Sequence, residues 1–146
     1  NILIFLDHAH TPDALEETLK ELQKHKKLGK IYTIFGCGGE RDSGKRPLMA
    51  EAAESFSDKV IVTEDNSRYE DLDQIFHDIK KGFREVQKVS FIKNRKEAIE
   101  QTLELLKEDD ILLLAGKGHE NYRETKGKRE PFSEKKIIRN FQEESK

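Results

Sequence analysis

The sequence predicts a three-layer α/β domain with a mostly parallel sheet, helices on both faces and a small C-terminal hairpin. Three observations carry this. Apolar runs alternate with stretches of helical periodicity along the chain. The runs are continuous rather than alternating, as in parallel strands covered on both faces. Helix caps and glycine stops punctuate the connections.

Four runs predict strands: Ile2 to Leu6, Ile31 to Phe35, Val60 to Val62 and Ile111 to Ala115, with a weaker fifth at Val89 to Ile92. The first helix begins at the cap Thr11 with Pro12 at its first position, and places Leu15, Leu19 and Leu22 on one face. Its end is marked by the basic turn Lys24 to Lys27 and then Gly29, both favoured at a helix C-terminus. A second helix is predicted from Pro47, turning Met49, Ala52, Ala53 and Phe56 inward. A third carries Leu72, Ile75, Phe76, Ile79 and Phe83 at helical spacing, and a fourth Ala98, Ile99, Leu103 and Leu106. The polar stretch Tyr122 to Phe132, centred on Gly127, reads as a hairpin, and Glu134 to Phe141 as a last helix. Strands alternating with helices imply right-handed parallel crossovers.

The 146 residues fit one domain with one core. Charged residues make up 38% of the chain, yet the formal net charge is only −2, so no nucleic acid or anionic lipid partner is expected. The single cysteine, Cys37, excludes an internal disulfide framework, and no apolar stretch approaches the roughly 20 residues that span a bilayer. A cytoplasmic setting without membrane attachment is the expectation. The only methionine is Met49 and the chain opens at Asn1 directly into an apolar run, so a piece of a longer protein is expected.

In an open α/β sheet, ligands bind outside the carboxyl ends of the strands, where loops converge and helix N-termini point free amides. Four chemically distinctive segments each follow a strand: Asp7 to His10, Gly36 to Arg46, Asp65 to Arg68 and Gly116 to Glu120. They are expected to share one edge. His8 and His10 form a His-x-His pair, but His77 falls on a helix and no further ligand cluster is evident, so no metal site is expected. Asp7 and His10 also have a plainer reading, as groups that cap and orient the first helix. Gly39, Gly44 and Lys45 match the phosphate loop G-x-x-x-x-G-K, but Arg46 stands where Ser or Thr would hold magnesium. This is not a working nucleotide phosphate loop. Either it binds another anion, with Arg41, Lys45 and Arg46 beside a helix N-terminus, or it is a tight turn with solvated charges. Taken singly, Asp65 to Arg68 reads as an Asx-type turn, and Gly116 to Glu120 as a glycine turn with Lys117, His119 and Glu120 in water.

Together, Asp7-His8-Ala9-His10-Thr11-Pro12, Phe35-Gly36-Cys37-Gly38-Gly39-Glu40-Arg41-Asp42, Gly44-Lys45-Arg46-Pro47 and Gly116-Lys117-Gly118-His119-Glu120 resemble the Mur ligases along the whole chain. The closest likeness is to the members that add the third residue of the peptidoglycan stem peptide. The resemblance implies a Rossmann-like C-terminal domain, residues 1–146, that binds the incoming amino acid; the UDP-sugar domain and the ATPase domain would lie upstream, outside this chain. It also implies the reaction. ATP, with Mg²⁺, phosphorylates the γ-carboxyl of D-glutamate on UDP-N-acetylmuramoyl-L-Ala-D-Glu, and the amine of the incoming residue attacks the acyl phosphate. No catalytic residue is expected in this domain, which would position the amine and close over the nucleotide. The isolated chain is expected to fold without hydrolysing ATP.

By the same resemblance, Asp7 and His10 face the nucleotide, and His8 stands where the family usually has a larger Tyr ring. Arg41, Asp65, Asn66, Ser67, Arg68, Gly116 and Glu120 match the amino-acid site, with acceptors for an ammonium and arginines for carboxylates. Relatives that add L-lysine tend to lack the arginine at position 68, so meso-diaminopimelate is the expected substrate, with its thioether analogue meso-lanthionine close behind. The diaminopimelate type has Asp-Asn-Pro-Arg where this chain has Ser67, which implies a looser turn. Alternatives are ligases of the folylpolyglutamate or cyanophycin synthetase type, or an amino-acid-binding module without catalysis.

Overall fold

The computed structural model describes residues 1–145. Five parallel strands form the sheet: β1 (Leu3–Asp7), β2 (Ile31–Phe35), β3 (Lys59–Val62), β4 (Ser90–Phe91) and β5 (Ile111–Ala115). Their spatial order is β1-β5-β2-β3-β4. β2 and β5 are central and buried along their whole length, which explains their unbroken apolar sequence.

Helices cover both faces. Helices α1 (Pro12–His25), α2 (Lys45–Phe56) and α3 (Leu72–Lys80) pack Leu15, Leu19, Met49, Ala53, Ile75 and Ile79 against Phe35, Val62 and Leu113. On the other face, α4 (Arg95–Leu105) and α5 (Glu134–Glu144) bring Ala98, Ile99, Leu103 and Ile137 onto Tyr32, Ile34, Leu112 and Leu114. Each fully buried Leu or Ile contributes about 1.5–3 kcal/mol relative to exposure. Thr11, Asp71, Asn94 and Ser133 cap α1, α3, α4 and α5 by accepting from amides in the first turn, as short polar side chains at this position do. The antiparallel hairpin of β6 (Tyr122–Thr125) and β7 (Lys128–Pro131) sits apart from the sheet.

Three elements differ from the sequence reading. Helix α2 starts at Lys45 rather than Pro47; proline is tolerated at its third position because the first four amides of a helix have no intrahelical acceptor. Strand β4 shrinks to two residues at the sheet edge. Strand β1 is the other edge and is not covered on both faces: Leu3 is 44% and Phe5 37% exposed, beside an open apolar groove of about 630 Å³ against α1. Among the described residues, no helix is long and apolar enough to cross a membrane.

Candidate amino-acid site at the strand ends

The four distinctive loops do meet. Because all five strands run parallel, β1, β2, β3 and β5 deliver their following loops to the same edge, around a cleft of about 380 Å³. The loop after β1 contributes His8 and His10; the glycine loop contributes Gly36, Cys37, Gly38, Arg41 and Lys45. Asp65, Asn66 and Arg68 come from the turn after β3, and Gly116 and Glu120 from the loop after β5.

Two candidate residues are not on the cleft wall. Asp7 faces α1, where its Oδ2 accepts from Thr18 Oγ1 at 2.9 Å. Ser67 is buried, and its carbonyl accepts from the Glu70 amide at 3.1 Å. The glycine loop closes tightly over this turn: a Cβ on Gly39 would fall 1.7 Å from the Ser67 carbonyl oxygen, so only glycine fits.

Asn66 and Arg68 both take left-handed backbone angles, φ 50° and 55°, a conformation that other contacts must hold in place. Those contacts are present. The Gly39 amide donates to the Asn66 carbonyl at 3.0 Å, the Lys126 amide to the Arg68 carbonyl at 2.7 Å, and the Arg68 amide to the Glu124 carbonyl at 3.3 Å. The Tyr69 amide donates to Glu40 Oε2 at 2.8 Å. The β6–β7 hairpin and the glycine loop therefore clamp the turn from two sides.

Arg46 is not available to an anion either. Its side chain is 1% exposed and is occupied by Glu70 at 2.7 and 2.8 Å, Asp78 at 2.9 Å and the Gly38 carbonyl at 3.0 Å. The guanidinium beside Glu70 holds that carboxyl well below its ordinary range, at about 2. Arg46 thus ties α2 to α3 and to the glycine loop. Lys45 reaches across the cleft mouth, donating to the His10 carbonyl at 2.8 Å, while Arg41 is exposed on the rim. Cys37 is buried, and burial pushes its thiol up to about 12, so it stays neutral near pH 7 and is a poor nucleophile.

Lys117 was expected in water, yet it is 1% exposed beneath the cleft floor. Its ammonium lies 3.3 Å from Asp65 Oδ1 and 3.1 Å from Asn66 Oδ1, and donates to the Tyr122 carbonyl at 3.2 Å. One buried charge therefore links the turn after β3, the loop after β5 and the hairpin. A second, Arg95, lies deeper. It pairs with Glu134 at 2.7 Å and donates to the carbonyls of Glu64 at 3.0 Å and Ala115 at 3.1 Å, joining the ends of β3 and β5 from which both loops depart. The only sequence signal for either was a charged residue beside an apolar run, which a solvated surface residue also gives.

Asp65 and Glu120 set two carboxylates against the cations Arg41, Lys45 and Arg68 around one cleft. That arrangement complements a zwitterion, since carboxylates accept from an ammonium and guanidinium groups donate to carboxylates. Gly116, at φ +117°, must be glycine, because a Cβ there would meet Asp65 Oδ2 at 2.5 Å. Among the described residues, no three His, Cys, Asp or Glu side chains gather to hold a metal ion.

Comparison with known proteins agrees with this geometry. A family profile described as "Mur ligase, glutamate ligase domain" matches residues 1–118. A protein of Pseudomonas syringae pv. tomato named UDP-N-acetylmuramoyl-L-alanyl-D-glutamate--2,6-diaminopimelate ligase is 52% identical over 132 residues, covering 90% of this chain and 27% of that protein. One of the same name from Haemophilus influenzae is 47% identical over 139 residues, 95% of this chain and 28% of its own length. A solved structure of a ligase of that name superposes with a TM-score of 0.94 at 43% identity, covering 99% of this chain and 30% of that one. The chain thus spans little more than a quarter of the curated relatives it matches. With the family profile matched over residues 1–118 and the fold superposing along 99% of its length, the chain belongs to the Mur ligase family, as its glutamate ligase domain.

Proposed function

We propose that this chain is the amino-acid-binding domain of an ATP-dependent ligase that adds meso-diaminopimelate to UDP-N-acetylmuramoyl-L-Ala-D-Glu during peptidoglycan precursor synthesis. The observation that carries the reading is the cleft at the strand ends, where Arg41, Arg68, Asp65 and Glu120 all line a space of about 380 Å³. Diaminopimelate has two ammonium groups and two carboxylates. Asp65, Glu120 and the Gly116 carbonyl accept from an ammonium; Arg68 and Arg41 donate to carboxylates. The names of the diaminopimelate ligases similar to this chain support the same substrate.

The chain's own residues do not fit an independent site for MgATP. The position that would hold magnesium is Arg46, and both terminal nitrogens of its buried guanidinium are engaged by Glu70, Asp78 and the Gly38 carbonyl. ATP and Mg²⁺ would be held mainly by an ATPase domain upstream, which supplies the phosphoryl group of an acyl phosphate. His10 and Lys45, at the mouth of the cleft, would face that domain. Asp7, the other residue matched to the nucleotide side, has its Oδ2 engaged by Thr18 and would act there through Oδ1.

The work of this domain is then positional. It holds one amine of the incoming residue in line with the acyl carbonyl, and amide formation releases inorganic phosphate. Holding reactants in a near-attack geometry supplies on the order of 7–11 kcal/mol of a barrier without a protein nucleophile. The test is an amino-acid panel on the full-length ligase, comparing meso-diaminopimelate, meso-lanthionine, L-lysine and ornithine. Diaminopimelate should have the highest kcat/KM; a preference for L-lysine would overturn the reading.

A further inference from the structure

Behind the cleft wall, Glu124 of β6 holds Arg68. Glu124 Oε1 lies 2.9 Å from Arg68 Nε, and the two side chains are only 23% and 20% exposed. Arg68 Nη1 is occupied as well, donating to the carbonyls of Gly39 and Asn66, each at 3.1 Å. A guanidinium has five N–H groups, one on Nε and two on each terminal nitrogen. Nη1 faces protein acceptors and Nε is ion-paired with Glu124; among the described residues, nothing accepts from Nη2. Arg68 nevertheless lines the cleft, so Nη2 is what it can offer a ligand.

This changes how a carboxylate would be received. Glu124 stands 2.9 Å from Nε, on the side where a carboxylate would take the fork of Nε and a terminal nitrogen, so Nη2 is the nitrogen left to a ligand. Direction then depends on how firmly the far side of the guanidinium is held. Glu124 is well placed to hold it, since its own backbone is fixed independently of its carboxylate. Its amide donates to Asn66 Oδ1 at 2.8 Å, and its carbonyl accepts from the Arg68 amide. Asn66 Oδ1 in turn receives the buried Lys117 ammonium. The other carboxylate oxygen, Oε2, lies 3.5 Å from Arg129 Nε on the facing strand, a second ion pair at the hairpin.

Building on the diaminopimelate reading above, we infer that Glu124 is a positioning residue that aims Arg68 at the distal carboxylate of the incoming amino acid. The β6–β7 hairpin is thereby a specificity element of the cleft, although Glu124 itself is not on the cleft wall. Truncating Glu124 leaves the hairpin's backbone bonds to the turn in place and frees the side chains of Arg68 and of the more exposed Arg129.

The test measures kcat and KM for meso-diaminopimelate, ATP and the UDP-linked dipeptide in the full-length ligase, for wild type, Glu124→Ala, Glu124→Gln and Arg68→Ala. Glu124→Ala should raise the KM for diaminopimelate about threefold to thirtyfold, as loosening of one charge-assisted contact does, with the other two KM values unchanged. Glu124→Gln, which keeps the shape but not the charge beside Nε, should lie between wild type and Glu124→Ala, and Arg68→Ala should exceed both. An effect on all three substrates alike marks a merely structural role and overturns the inference. So does an unchanged or lowered diaminopimelate KM in Glu124→Ala when Arg68→Ala raises it. If Arg68→Ala itself leaves that KM unchanged, the substrate reading of the cleft fails instead. Should Glu124→Ala not fold, Glu124→Asp, with its carboxylate withdrawn by one methylene, must raise the same KM selectively, and no rise refutes the inference.

Discussion

Replacing Arg95 by methionine removes the buried group that joins both recognition loops to the core. Arg95 and Glu134 are each 0% exposed at the side chain, and Arg95 also serves the carbonyls of Glu64 and Ala115. Burial opposes its charge, but Glu134 and nearby Asp65 outweigh this and raise its pKa, so the charged pair is what must be broken. Glu134 Oε1 already lacks a partner, so the variant leaves a carboxylate with none at all. Breaking such a pair from one side costs about 3–5 kcal/mol, and two orphaned carbonyls add on the order of 1 kcal/mol or more each. With a urea m-value of roughly 2 kcal/mol/M, the midpoint of Arg95→Met should fall by about 3 M. The double variant Arg95→Met/Glu134→Leu exchanges the pair for apolar volume and should recover more than half of that loss. The assay is urea denaturation of this chain followed by circular dichroism. A single-variant shift below about 0.3 M, or a double variant no better than the single, would refute the assignment of Arg95 as the buried tie.

Two further outcomes follow from the same geometry. Glu70, ordinarily near 4.5, is held at about 2 by Arg46, so its contribution to stability is full above about pH 4.5 and is lost as pH falls toward 2. In Arg46→Met that acid-dependent component, on the order of 1–3 kcal/mol, should disappear; urea midpoints measured between pH 2 and 5 that keep the wild-type slope would contradict it. Gly116→Ala must both leave φ +117° and push Asp65 Oδ2 away from a new Cβ at 2.5 Å. The full-length ligase should then lose roughly tenfold or more in kcat/KM for its amino acid, and a variant with wild-type kinetics would show that the Gly116 and Asp65 loops do not meet in solution.

The strand cores were legible because β2 and β5 are buried on both faces and must be apolar throughout. Convergence of the four loops was legible too, since parallel strands send their following loops to one edge. What could not be read were charges held by partners far along the chain. Arg46 looks like a phosphate-loop cation until Glu70 and Asp78 are seen to fold onto it from the segment leading into α3 and from α3 itself. Lys117 looks solvated until the hairpin carbonyl of Tyr122 and the side chains of Asp65 and Asn66 close around its ammonium. Local sequence records a side chain's charge but not the tertiary partner that lets it be buried. Asp7 illustrates the reverse: its motif was visible, but its hydrogen bond to Thr18, which turns it away from the cleft, was not. The contacts around the turn at Ser67 were not visible either, because they come from Gly39 on one side and the hairpin on the other, both distant in sequence.

The central claim is that the cleft recognises an amino acid bearing a distal carboxylate through Arg68. The most direct measurement is the steady-state kinetics of Arg68→Ala in the full-length ligase, with diaminopimelate and ATP varied in turn. A charge-assisted hydrogen bond contributes about 1.5–3 kcal/mol, so kcat/KM for meso-diaminopimelate should fall roughly tenfold to a hundredfold while the KM for ATP stays within about twofold. Equal losses for both substrates, or no loss for diaminopimelate, would contradict the account.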